Sequence, residues 1–148
     1  MGTTALSSLI GADVPYVQTG KMFVTAPVTI TIPATAVTGD IVEAIPIKAG
    51  WMVMGTIVTP VTAGVGGTIT MDVGITGGTH DGFDVAIDLE TAVGTIARSV
   101  PADTYPVAGG YYSTVADTID LFMHNVTSAI TTLPVFTIQA VIIDCNNP

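Results

Sequence analysis

The residues with the means to do chemistry crowd into one short stretch: His80, Asp81, Asp84, Asp88 and Glu90. Calcium takes several hard oxygen ligands, so Asp81, Asp84 and Asp88 are the candidate ligands for such an ion. The EF-hand spacing, Asp-x-Asp-x-Asp-Gly, is absent. Asp side chains in Gly-rich loops also bond readily to their own backbone. Turn formation is therefore the expected role, and no metal or other cofactor is expected. His80 and His124 do not make a zinc site, even with Cys145 as a third group. Hydrogen-bonded surface or loop histidines are expected instead.

Catalytic patterns are missing. Ser7, Ser8, Ser99, Ser113 and Ser128 stand in no Gly-x-Ser-x-Gly elbow. Pairs of Asp and Glu could serve a glycosidase, but the few aromatics do not cluster as a sugar cleft requires. The run Gly64-Val65-Gly66-Gly67 lacks the Lys and the helix of a phosphate loop. The chain is read as a non-enzyme. Trp51, Tyr105, Tyr111 and Tyr112 are candidate interface residues, because Tyr and Trp anchor many protein contacts; core and rim packing is the competing role. The single cysteine, Cys145, excludes an intrachain disulfide and is expected to be buried or idle.

Charge narrows the partners. Twelve acids face only Lys21, Lys48 and Arg98, a formal net charge of -9. Nucleic-acid binding needs clustered cations to displace counterions, so no DNA or RNA partner is expected, and anionic membranes are disfavoured likewise. Charged residues are only 10% of the chain and hydrophobic ones 49%, against about 25% charged in ordinary soluble domains. With so little charge to cover its surface, the chain is expected to bury part of it against other subunits.

The elements that must position these residues are strands. Thr, Val and Ile dominate, as suits half-buried pleated surfaces, and helix formers are scarce. Alternation marks strands over 22–32, 40–45, 51–59, 69–75, 95–100, 117–126 and 134–144. Within them Ile69, Met71, Val73 and Ile75 share one face and Asp120, Phe122 and His124 another. The last strand reads as apolar on both faces. The Gly-rich link 61–67 reads as a hairpin loop. Residues 83–92 fit one or two helical turns closed by Gly94, although Val85 and Ile87 also fit a short strand. The uncharged stretches 49–71 and 125–143 contain Pro60 and Pro134 and read as strand pairs rather than membrane helices. Residues 1–10 have no basic n-region, so no signal peptide is expected, and the sequon Asn125-Val126-Thr127 is read as coincidental. The fold class is all-β: an antiparallel β-sandwich, a jelly roll with little or no helix. Residues 1–20 form an N-terminal arm and 21–148 one sandwich domain.

A set of motifs then follows in order: Ile-Lys-Ala-Gly-Trp at 47–51, Met-Asp-Val-Gly-Ile at 71–75, Asp-Gly-Phe-Asp at 81–84, Asp88-Leu89 and Gly94, before a Thr/Asp-rich strand and a final aliphatic strand. Over residues 45–144 this resembles small virion proteins of tailed bacteriophages, especially head decoration (cement) proteins with a jelly-roll fold. The resemblance implies a protein on the capsid exterior, with the major capsid protein as partner, that holds capsomers together as a homo-oligomer. A trimer is favoured over a dimer. The alternative is a tail or fibre domain that binds a receptor or carbohydrate.

Overall fold

A computed structural model of the chain describes residues 21–75, 77–90, 96–98, 104–107 and 109–146. The strands are β1 (Lys21–Val24), β2 (Val28–Thr31), β3 (Ile41–Ile47), β4 (Trp51–Thr62), β5 (Ile69–Ile75) and β6 (Asp84–Asp88), followed by β7 (Ala97–Arg98), β8 (Tyr111–Tyr112), β9 (Asp117–Val126) and β10 (Val135–Asp144). Among the described residues one helical turn, α1 (Thr104–Val107), interrupts the series.

These strands form two antiparallel sheets packed as a sandwich. In the first, β10 lies between β4 and the short pair β1 and β2, while β7 and β8 lie along the far edge of β4. The second runs β3-β9-β5-β6. They are called the β10 sheet and the β9 sheet below. Alternation explains why they stack. Ile69, Met71, Val73 and Ile75 of β5, Ile119 and Leu121 of β9, and Ile138, Ala140 and Ile142 of β10 are all at 0% exposure. Each large aliphatic side chain buried in this way contributes roughly 1.5–3 kcal/mol. No helix among the described residues is long and apolar enough to cross a membrane.

Several expectations are corrected. The strand expected over 22–32 is two strands, broken at Thr25–Pro27. Pro27 cannot donate to a ladder, and at the break Thr25 Oγ1 accepts the Ala140 N–H at 3.0 Å while Gln139 Nε2 donates to the Thr25 carbonyl at 3.0 Å. Link 61–67 is no hairpin: β4 and β5 belong to different sheets. The link crosses the end of the sandwich and is pinned there by a bridge between Val65 and Thr132. Residues 84–88 are strand rather than helix, because β5 offers them a ladder and Ile87 a place in the core. Neighbours in sequence seldom pair, since β10 joins β1, β2 and β4 while β9 joins β3 and β5. The outer face of β10 is half-buried at Val135, Val141 and Ile143 rather than core. Cys145 is exposed. The arm over residues 1–20 and the closing Gly94 lie outside the described residues.

Candidate functional site

The acidic loop is built by its own backbone. Asp84 Oδ1 accepts the Val85 N–H at 2.9 Å, and Asp88 Oδ1 accepts the Glu90 N–H at 2.8 Å. Asp81 is exposed on the loop. Among the described residues no group of three or more His, Cys, Asp or Glu side chains is placed to hold a metal ion.

The four candidate aromatics gather near the start of β4, in different roles. Tyr105 is buried. Its ring lies 4.8 Å from Phe83 and 4.8 Å from Tyr111, and its hydroxyl accepts the Thr79 N–H at 2.7 Å. It ties α1 to loop 77–83. Tyr111 sits half-buried on the inner side. Burial pushes its phenol above the ordinary tyrosine value, and Asp117 and Tyr105 add to the rise. Trp51 is half-buried, edge-on to Phe23 at 5.3 Å, with Lys48 Nζ 5.4 Å from its ring centre. Tyr112 alone of the four is exposed.

Tyr112 belongs to an apolar rung that sequence reasoning missed. Cross-strand registers run Met22 to Ile143, Ile143 to Met52, and Met52 to Tyr112, so four strands place an apolar side chain side by side. Phe23, Ile142 and Val53, one position along, face the core, so the rung points outward. Val24 and Val141 form the next row. Met22 is 63% exposed, Val24 51% and Tyr112 50%. Farther along the same face polar residues mix with apolar ones, with Arg98 beside Ile57 and with Thr29 and Thr59 flanking Thr137. The signal lay in three separate alternations, but only the sheet order shows that they line up.

Charge is divided between the two sheets. Lys21 lies on β1 and Arg98 on β7, both strands of the β10 sheet, where Asp144 is the one strand acid among the described residues, while Lys48 lies in the turn between β3 of one sheet and β4 of the other. Glu43, Asp72, Asp84, Asp88, Asp117 and Asp120 lie on strands of the β9 sheet, with Asp40, Asp81 and Glu90 in its loops.

The outer face of the β9 sheet is held by contacts that the sequence did not announce. His124 Nδ1 lies 2.8 Å from Asp72 Oδ2, and Asp72 Oδ1 accepts the Ala86 N–H at 2.7 Å. The His80 ring stacks on Phe122 at 4.1 Å and 6°. Both histidines are thus engaged within the protein. Open hollows lie on the surface, one of about 180 Å³ between Ile32, Asp40, Val42 and Met123 and one of about 380 Å³ between residues 34–37 and 126–129.

No family model matches the chain, and no curated protein matches it. Solved structures share its fold. A chain in the capsid of Ralstonia phage GP4 is 16% identical, with TM-score 0.62, over 85% of this chain and 86% of that one. A chain in the capsid asymmetric unit of cyanophage Pam1 is 19% identical, with TM-score 0.55, over 82% and 86%. A chain in the acidic stable capsid structure of Helicobacter pylori bacteriophage KHP30 is 11% identical, with TM-score 0.53, over 83% and 89%. The near-equal coverage means that each of these chains is about as long as this one.

Proposed function

We propose that the chain is a structural virion protein that binds the outside of an assembled phage capsid and stabilises contacts between capsomers. The observation that carries this reading is the fold shared, nearly end to end, with similarly sized chains from three phage capsids. The interleaved strand order supports a jelly roll, an architecture used by capsid proteins. Low charge and an exposed apolar rung support burial against other proteins. The same likeness favours a structural over a catalytic role. The partner is the major capsid protein, and the location is the capsid exterior. Binding to carbohydrate is less well supported, since that needs a ring of exposed aromatics and only Tyr112 of the four candidates is exposed.

Mechanically, such a protein adds contact area where capsomers meet. A standard interface buries about 1,600 Å², and many copies acting together raise effective affinity without any single strong contact. The test is sedimentation of purified protein with assembled shells of its phage that lack it. Saturable co-sedimentation is expected, with shells that resist heating better. Protein that stays at the top of the gradient at every ratio would sink the reading.

A further inference from the structure

We infer that the outer face of the β10 sheet is where a second copy of this chain docks, the two sheets lying back to back about a twofold axis. This goes beyond the capsid reading and stands on the face itself. The centre of contact is the rung Met22, Ile143, Met52 and Tyr112, with Val24 and Val141 beside it. None carries charge. Methionine adapts its shape to an opposing surface, and tyrosine supplies a rigid anchor.

Electrostatics selects the occupant. Each copy carries -9, and like charges brought together across an interface cost several kcal/mol. Two copies meeting through their β9 sheets would bring the exposed acids Glu43 and Asp88 towards the same residues of the partner copy. The outer face of the β10 sheet carries little charge: Arg98 lies on it beside Ile57, whereas Lys21 and Asp144 share the inward side with Phe23 and Ile142, and Lys48 lies in the turn before β4. A face that meets only itself leaves the acids of both copies pointing to solvent. Two copies that meet through this same face close as a twofold pair rather than as the trimer that the resemblance implies.

The size is adequate. β10 has ten residues, about 34 Å at about 3.4 Å per residue. Four strand positions at about 4.8 Å give a width of about 19 Å. Because β1, β2, β7 and β8 are shorter than β10, the face measures at most about 650 Å² before side-chain relief is added, at the low end of the roughly 600–1,000 Å² per partner of stable complexes.

Sedimentation velocity of the full chain, without any shell, tests the inference separately from the capsid reading. At about 1–100 µM the expected particle has twice the chain mass. Met22→Lys and Tyr112→Lys are each expected to weaken the pair by about tenfold or more, although each lowers the net negative charge. Both positions are exposed, so a thermal melt should show both variants folded. Val85→Lys makes the same charge change at an exposed position of β6 and is expected to leave the pair intact. A monomer at every concentration overturns the inference, as it would if residues 1–20 or a shell protein alone covered this face. A trimer, or a dimer that Met22→Lys leaves unchanged, overturns it as well.

Discussion

Gly74 shows how one missing methyl positions a loop. A Cβ there would overlap the carbonyl oxygens of Thr79 and His80, so the loop lies on β5 only because that position is bare. Backbone cannot swing away as a flexible side chain can. Gly74→Ala is expected to cost about 2–3 kcal/mol, read as a lower urea midpoint with an unchanged slope. Tyr111 gives the second prediction at this scale. Its raised phenol value means that the folded chain holds the proton more tightly than the unfolded chain does. The associated stability is complete below the ordinary tyrosine value of about 10 and is lost as pH rises through the folded value. The wild type is therefore expected to lose stability above about pH 10, and Tyr111→Phe to lose less. Equal alkaline slopes for the two proteins would contradict this. The sequence marked these aromatics as a set but could not divide them. Which of Tyr105, Tyr111 and Tyr112 faces the core depends on α1 and β8, two short elements set by tertiary contacts rather than by local pattern.

Elements were legible where alternation was long and failed where partners decided. Residues 69–75 and 117–126 alternate cleanly, and β5 and β9 have those same bounds. Residues 83–92 carry a weaker pattern that fits two structures. The ladder to β5 settles it as strand, even though Ala86 there takes a positive φ of 52°. The hairpin expected at 61–67 failed for a related reason. Gly-rich loops announce a change of direction but not whether the chain returns to its own sheet or crosses to the other. The apolar rung stayed hidden because Met22, Met52, Tyr112 and Ile143 come from four separated strands, and no local pattern reports which strands are neighbours. Tyr105 is the element-scale tether that can be tested. Tyr105→Phe keeps the ring against Phe83 and Tyr111 but removes the acceptor for the Thr79 N–H. A loss of about 1 kcal/mol is expected, with faster amide exchange confined to loop 77–83. Exchange that changes equally throughout the sandwich would show that the hydroxyl does not act as a local tether.

At the scale of the whole molecule, the division of charge sets opposite responses for two contacts. The inferred pair is held by an uncharged rung, while two bodies of -9 repel as they approach. Raising salt from about 0.1 M to about 1 M shortens the screening length from about 10 Å to about 3 Å. That removes repulsion without touching the apolar contact. The pair is expected to tighten several-fold over this range, read from sedimentation in sodium chloride. For the capsid binding proposed above, any attraction between the acids of the β9 sheet and cationic patches on a shell would respond in the other direction, because steering accelerates encounter and is lost on screening. The association rate with shells is expected to fall by about tenfold across the same range. A pair that weakens with salt would show that ion pairs, not the methionine and isoleucine rung, hold the copies together. An association rate indifferent to salt would show that the acids of the β9 sheet do not steer the protein to its shell.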